Sequence, residues 1–191
     1  MKHGEPPDAV AQAFDAQPRT GFLPPAQRAQ AGYDGPLPIG HAQTNSQPRT
    51  VADMLRLLQV APGQRILDVG AGSGWTTALL AHLVGPSGQV LGVERVPELA
   101  AWGAANLAAT NQPWAGIRAA TEGVLGLPDA GPFERILVSA EAQTLPQSLV
   151  DQLAEGGVMV IPVAGEMLRV RRAGADVQVS RHGGYRFVPL L

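Results

Sequence analysis

The chain has 191 residues, of which 45% are hydrophobic and 16% are charged, a composition that predicts a folded domain with a sizeable core. A formal net charge of −2 without a basic stripe argues against a nucleic-acid partner, and the lack of cysteine excludes disulfides, thiolate metal ligands and a cysteine nucleophile. No apolar run approaches the roughly 18 residues of a membrane helix, and the polar, Pro-rich residues 1–8 are unlike a signal peptide, so a cytoplasmic protein without membrane attachment is expected.

Residues 1–40 hold seven prolines and are expected to form a mostly irregular segment that wraps a single domain spanning residues 1–191. One short helix is predicted within residues 8–17. After Pro48, Val51, Met54, Leu55 and Leu58 recur at helical spacing and predict the first long helix, which ends at Pro62-Gly63.

From residue 65 onward, apolar strand patterns alternate with helical ones. This alternation, followed by a β-rich tail, predicts an α/β fold with a doubly wound, mostly parallel sheet and an antiparallel C-terminal edge. The tail is expected to form two or three strands joined by turns at Gly174 and Gly183-Gly184. The predicted strands are residues 65–69, 89–94, 117–121, 133–140 and 158–163, and the predicted helices are residues 75–84, 97–110 and 146–154, the last ended by Gly156-Gly157.

A glycine-rich loop, LDVGAGSG at residues 67–74, lies between the first of these strands and its helix, where open α/β sheets bind ligands. It lacks the Gly-Lys-Ser/Thr ending of a P-loop and the G-x-G-x-x-G spacing of dinucleotide sites. Glu94 ends the next strand and is well placed to accept hydrogen bonds from the ribose hydroxyls of an adenosine. Asp68, at the entrance of the loop, suits a cation better than a pyrophosphate.

S-adenosylmethionine carries an ammonium and a sulfonium and no phosphate, so it fits this pattern of charges. The loop and its acids resemble those of class I methyltransferases. Two alternatives remain open: a glycine-rich turn that serves only helix packing, and an NAD-type domain. The four histidines show no ligand spacing, so no metal site is expected.

A second motif, LPIGHAQTNSQP at residues 37–48, resembles the signature of protein-L-isoaspartate O-methyltransferases, which reads roughly Leu-Pro-Ile-Gly-x-Gly-Gln-Thr-Ile-Ser-x-Pro. The similarity continues in order through VERVPELAAWGAANL, TEGVLGLPDAGPFERILVSA, LPQSLVDQLAEGGVMVIPV and YRFVPL, and spans about residues 14–191. It implies a Rossmann-like class I fold. It also implies a repair enzyme that transfers the methyl group of S-adenosylmethionine to the carboxylate of isoaspartyl residues in damaged proteins, with S-adenosylhomocysteine as product.

The resemblance also implies roles for individual residues. Ser46 matches the active-site serine, which holds the substrate carboxylate, although a serine just before Pro48 could instead cap the following helix. The implied cofactor-binding residues are Gln43, Thr44 and Asn45 beside the cofactor, Asp68, Gly70, Gly72 and Ser73 at its methionine end, Glu94 at the ribose, and Glu122 and Gly123 at the adenine.

Several positions depart from the family pattern: His41-Ala42, Asn45, Arg49, Thr121-Glu122 and Glu141. Asn45, Arg49 and Glu141 are expected near the substrate mouth. They keep open two other functions: a methyltransferase acting on a small molecule or tRNA, and a non-catalytic cofactor-binding relative. The absence of a basic surface argues against tRNA. The chain stops at Leu191, where many relatives continue, so a more open cofactor pocket is expected. The sequence does not indicate an oligomeric state.

Overall fold

A computed structural model describes residues 8–190, which form a seven-stranded sheet with helices on both faces and a separate two-stranded hairpin. The helices are α1 (Ala9–Ala16), α2 (Pro48–Leu58), α3 (Trp75–Val84), α4 (Pro97–Ala108) and α5 (Gln147–Val150). The strands are β1 (Leu37–Gly40), β2 (Gln43–Asn45), β3 (Arg65–Val69), β4 (Gln89–Glu94), β5 (Ala115–Ala119), β6 (Phe133–Val138), β7 (Leu153–Val163), β8 (Glu166–Ala173) and β9 (Asp176–Gly184).

The large sheet has the strand order β5-β4-β3-β6-β7-β8-β9. Strands β3 to β7 pair in parallel, whereas β8 and β9 add an antiparallel edge. The predicted fold class is therefore confirmed. The chain runs outward from β3 to β5 and then returns to place β6 on the other side of β3. This reversal is the topological switch point, where ligands bind in open α/β sheets.

Both faces of the central strands are buried, and neighbouring residues of one strand supply the two cores. Ile66 of β3 packs into the cluster under α1, α2 and α3, whereas Leu67 packs into the cluster that contains Phe133 and Leu149. This alternation follows from the period of two in a strand, and burial on both sides explains why the central strands are almost entirely apolar.

Three elements beside the glycine loop match their predicted bounds: β3, α3 and β4. The helix predicted over residues 146–154 is confirmed at its start, as the single turn of α5, but its predicted extent is wrong because β7 already begins at Leu153. Phe133 pairs with Leu153 but Arg135 pairs with Val158, so the residues between them bulge out of the ladder. A Cβ on Gly157 would lie 2.8 Å from the Ala154 carbonyl oxygen, so this glycine allows the bulge and does not end a helix.

Other differences are smaller. The fifth strand begins and ends two residues before its predicted bounds, and β6 stops at Val138 rather than at residue 140. The predicted turn at Gly174 joins β8 to β9, but Gly183-Gly184 ends β9 rather than forming a turn.

The N-terminal segment contains the predicted helix as α1, then two short 3-10 helices, Arg19–Phe22 and Pro25–Gln30. Its first seven residues lie outside the described part of the chain. The segment is fastened to α3: the Trp75 Nε1 donates to the Gln17 carbonyl oxygen at 2.9 Å, and the Phe14 and Trp75 rings meet edge to face. The hairpin of β1 and β2, which was not predicted, follows this segment and leads to the site.

Candidate cofactor and acceptor site

A cavity of about 940 Å³ opens at the carboxyl ends of β3, β4 and β6, at the switch point of the sheet. Its lining comes from residues 39–46, 69–76, 93–97, 120–126, 139–146 and 188–190, although not every residue of these ranges faces it. Of the site residues predicted from the sequence, all except Asp68 line the cavity. The lining residues are Gln43, Thr44, Asn45, Ser46, Gly70, Gly72, Ser73, Glu94, Glu122 and Gly123.

Residues 70–73 and Glu94 line part of this cavity, and we call them the donor wall. The N–H groups of Gly70 and Ala71 donate to the Val93 carbonyl oxygen at 2.9 and 3.1 Å, so main-chain bonds tie the loop to β4. Gly74 has φ +88°, and a Cβ there would lie 2.7 Å from the Gly103 carbonyl oxygen. The third glycine of the motif therefore serves the close approach of α4, while Gly70 and Gly72 border the cavity.

Glu94 is 7% exposed and fastens the donor wall. Its Oε2 accepts the N–H of Gly72 and its Oε1 accepts the N–H of Val96, each at 2.9 Å. A carboxylate offers about four acceptor positions, so these two bonds leave capacity for the hydroxyls of a ligand.

Asp68 lies fully buried beneath the donor wall and is not part of the cavity lining. Its Oδ2 accepts the hydroxyls of Thr76 at 2.8 Å and Thr77 at 2.7 Å, while Oδ1 has no hydrogen-bond partner among the described residues. Burial raises the pKa of Asp68 to about 6; the two threonine hydroxyls oppose that rise and the charge of Glu94 adds to it. At neutral pH the site therefore carries a buried carboxylate with an unused acceptor atom.

Two other segments contribute lining residues to the same cavity: the hairpin region, residues 37–46, and the C-terminal strap, residues 185–190. We call these two segments the acceptor wall. The β1–β2 hairpin brings Ser46 to the cavity. Helix α2 begins at Pro48, with Gln47 as its N-cap and without a side-chain cap bond. The helix-cap alternative for Ser46 is therefore wrong, and its hydroxyl is not engaged at that helix end.

Arg19, which the sequence patterns did not single out, holds the acceptor wall from behind. Its Nε donates to Asn45 Oδ1 at 2.7 Å, and Asn45 Nδ2 donates to Ser73 Oγ at 3.0 Å. The two walls are thus joined by one amide side chain. The only sign of this link in the sequence is the polar residue at position 45, where the family pattern usually has an aliphatic one.

The sequence pattern placed Glu141 near the substrate mouth. In the structure Glu141 instead fastens the strap. Its carboxylate accepts the N–H of Gly165 at 3.1 Å and of Phe187 at 3.3 Å, and its main chain bonds to Val188 and Leu190. Arg49 points away to Asp34, with 3.5 Å between Nε and the carboxylate. Neither departure removes a group from the cavity.

Within residues 8–190, no helix is long and apolar enough to cross a bilayer, and no three His, Asp or Glu side chains come together as metal ligands would.

Comparisons with known proteins agree with this geometry. The family model of Protein-L-isoaspartate(D-aspartate) O-methyltransferase (PCMT) matches residues 2–191. Two proteins named protein-L-isoaspartate O-methyltransferase, from Methanopyrus kandleri and Aeropyrum pernix, are 43% and 44% identical to the chain, covering 95% of it in each case and 83% and 72% of their own lengths. A Plasmodium falciparum crystal structure, described as a protein-L-isoaspartate O-methyltransferase in complex with S-adenosyl-L-homocysteine, has a TM-score of 0.84 and 27% identity, covering 96% of this chain and 90% of its own. The resemblance drawn from the sequence motifs is confirmed: the chain belongs to the protein-L-isoaspartate O-methyltransferase family of S-adenosylmethionine-dependent enzymes.

Proposed function

We propose that this protein transfers the methyl group of S-adenosylmethionine to the carboxylate of isoaspartyl residues in proteins. The observation that carries this proposal is that the glycine loop, Glu94 and the signature hairpin with Ser46 line one cavity. A donor site and an acceptor site must share one cavity for direct transfer, because the reacting atoms have to approach in line. The family of the relatives supports the same substrate class.

The residues present fit the cofactor. Glu94 has acceptor capacity for a ribose diol, and the unpartnered Oδ1 of Asp68 gives the methionine end a negative potential that suits an ammonium and a sulfonium. When bound, S-adenosylmethionine supplies an electrophilic methyl group that an ionised carboxylate takes up as S-adenosylhomocysteine leaves. We assign Asp68, Gly70, Gly72 and Ser73 to the methionine end, Gln43, Thr44 and Asn45 to positions beside the cofactor, and Glu122 and Gly123 to the adenine side.

On the acceptor side, the role of the protein is to orient a group that is already reactive. A carboxyl with an ordinary pKa is ionised at neutral pH, so the site needs no general base. The Ser46 hydroxyl can donate to one carboxylate oxygen and leave the other directed at the donor wall. Exclusion of water by the hairpin and the strap strengthens these contacts.

The experiment is transfer of labelled methyl from S-adenosylmethionine to an isoaspartyl peptide, with the matched aspartyl peptide as control. Transfer to the isoaspartyl peptide alone is expected. Equal transfer to both peptides would contradict the proposed specificity. Binding of S-adenosylhomocysteine without transfer to either peptide would favour the non-catalytic alternative.

Replacing Ser46 by Ala tests the role of the hydroxyl. Because hydrogen bonds to charged groups contribute about 1.5–3 kcal/mol, we expect kcat/KM to fall by at least about tenfold. The affinity for S-adenosylhomocysteine and the melting temperature should stay unchanged, since Ser46 does not cap α2. Ser180→Ala, on the distant edge strand β9, is the control. A loss of stability with full activity in Ser46→Ala would contradict this role.

A further inference from the structure

Arg19 is a buried cation in an unusual setting. The residue is 5% exposed, and among the described residues no carboxylate lies within ion-pair distance of its guanidinium. The charge of Asp34 acts on Arg19 from a distance, but the Asp34 carboxylate is already engaged by Arg49. It accepts the main-chain N–H of Arg49 at 3.1 Å and forms an ion pair with the Arg49 side chain. Buried charges in proteins are normally paired, so the positive charge of Arg19 needs another explanation.

Carbonyl groups take the place of a counter-ion. The Arg19 Nη2 donates to the carbonyl oxygens of Gly35 at 2.8 Å and of Asn45 and Ser46 at 2.9 Å. Its Nη1 donates to the Tyr33 carbonyl oxygen at 2.9 Å. These acceptors are neutral, so they satisfy the donors without cancelling the charge.

The position of the guanidinium links it to both walls of the cavity. It lies 5.5 Å from the Trp75 ring, in cation–π contact, and bonds directly to the main chain of Ser46. Through Asn45 it also reaches the Ser73 hydroxyl of the donor wall. Burial lowers the pKa of Arg19, yet a guanidinium stays protonated at neutral pH. A permanent positive charge therefore sits directly behind the serine that faces the acceptor.

We propose that Arg19 is a positioning residue for the acceptor: it fixes the main chain of Ser46 relative to the donor wall, and its charge, which no direct ion pair neutralises, favours an anionic substrate beside Ser46. This inference rests on the proposed function, because the acceptor there is a carboxylate. Arg19 lines no part of the cavity and acts only through Asn45, Ser46 and its electric field.

A matched pair of variants separates geometry from charge. Arg19→Gln removes the charge, whereas Arg19→Lys keeps it, and neither can reproduce the planar fork of donors. We expect kcat for an isoaspartyl peptide to fall by about tenfold in both variants, because misalignment is common to both. The peptide KM should rise at least about fivefold in Arg19→Gln and stay near the wild-type value in Arg19→Lys.

A merely structural role would give a different result. Both variants would then have a lower melting temperature, while kcat and KM of the folded protein stayed within about twofold of wild type. That result would overturn the inference. Equal rises of KM in the two variants would overturn the role of the charge. Val170→Ala, a buried β8 substitution away from the cavity, shows what loss of stability alone does to the kinetics.

Two further measurements keep the test decisive. Should Arg19→Gln fail to fold, the wild-type protein with S-adenosylhomocysteine bound should bind a peptide with carboxamide in place of the isoaspartyl carboxylate at least about fivefold more weakly than the isoaspartyl peptide. Equal binding would overturn the inference. Wild-type protein that transfers no methyl to the isoaspartyl peptide contradicts the proposed function, whereas full transfer with an unaffected Arg19→Gln contradicts only the inference.

Discussion

The two walls of the cavity are held by different kinds of contact. The donor wall is tied into the sheet, since Gly70 and Ala71 bond to the main chain of β4. The acceptor wall depends on side chains that reach main-chain groups over long distances in sequence, chiefly Arg19 and Glu141. The donor wall should therefore change most when its backbone is displaced and less when the Glu94 side chain, which accepts the Gly72 N–H, is removed. In the acceptor wall, one substituted side chain can release a whole segment. The affinity for S-adenosylhomocysteine gives one scale on which to compare the two.

The largest effect is expected when the backbone of the donor wall is displaced. A Cβ on Gly103 would lie 2.5 Å from the Gly72 carbonyl oxygen, so Gly103→Ala forces α4 and the loop apart. Overpacking of this kind costs about 1–3 kcal/mol, and we expect affinity to fall by up to about a hundredfold in calorimetry. Gly116→Ala, where a Cβ meets no atom within 4 Å, is the control. Equal behaviour of the two variants would show that the loop does not need this close approach.

The next effect concerns the carboxylate that fastens the donor wall. Glu94→Ala leaves the Gly72 N–H without its acceptor, and by our proposal the ribose hydroxyls as well. We therefore expect a loss of about 2 kcal/mol, or about thirtyfold in affinity. Glu94→Gln keeps one acceptor oxygen, so its affinity should lie between those of the wild type and Glu94→Ala. If folded Glu94→Ala binds with unchanged affinity, the assignment of the ribose to Glu94 is wrong.

A smaller effect comes from the charge beneath the donor wall. The pKa of Asp68 is raised from 3.8 to about 6, so ionised Asp68 becomes dominant as pH rises through 6. S-adenosylmethionine carries a net positive charge from its sulfonium, which S-adenosylhomocysteine lacks, so its binding favours the ionised form of Asp68. Its affinity should rise by up to about tenfold from about pH 5 to pH 7 and then level off. Calorimetry across this range should show the rise in wild type and none in Asp68→Asn. A rise that persists in the variant would assign the titration to another group.

The unliganded protein should respond to pH in the opposite sense. A buried carboxyl whose folded pKa is raised stabilises the fold while it is protonated, so its contribution to the free energy of unfolding is lost as pH rises from about 4 to about 6. Asp68→Asn does not titrate. Subtracting its unfolding free energy from that of wild type isolates this contribution.

The smallest effect is expected in the strap. Glu141→Gln replaces one carboxylate oxygen by an amide that cannot accept an N–H, but the main-chain bonds of residue 141 remain. The strap loosens, and affinity should fall by about fivefold, in line with about 1 kcal/mol for one hydrogen bond. Glu155→Gln is the control, since its carboxylate accepts the Gly174 N–H in the same way at a distant turn. If both substitutions reduce affinity equally, the strap does not close the site.

The difference between the walls also explains what the sequence could predict. The donor wall follows from local patterns, because strand, glycine loop, helix and Glu94 are close in sequence and each has a composition typical of its role. The helix predicted over residues 146–154 is shorter than expected. Leu149 and Val150 of α5 and Leu153 of β7 are buried in the same core cluster, so this short apolar run does not indicate where the helix ends. Arg19 carries no pattern, since its partners lie 14 to 27 residues away.

The hairpin was missed for a related reason. Pro38 and Gly40 indicate irregular chain, yet Gly40, His41 and Ala42 all adopt positive φ, at 91°, 52° and 57°, and make the turn. Non-glycine residues rarely adopt positive φ, so His41 and Ala42 do not favour the turn that forms. Tertiary contacts of Leu37, Ile39 and Asn45, which are buried, hold it instead.

The buried position of Arg19 bears on how the protein can be shortened or fused. None of residues 8–38 lines the cavity, so a map of the cavity alone would mark this stretch as dispensable. Yet the stretch supplies the guanidinium behind Ser46 and the Gln17 carbonyl that receives Trp75. The functional unit is therefore larger than the set of residues that a ligand could touch. A fusion junction or trimmed end placed just before the signature hairpin would remove both of these contacts.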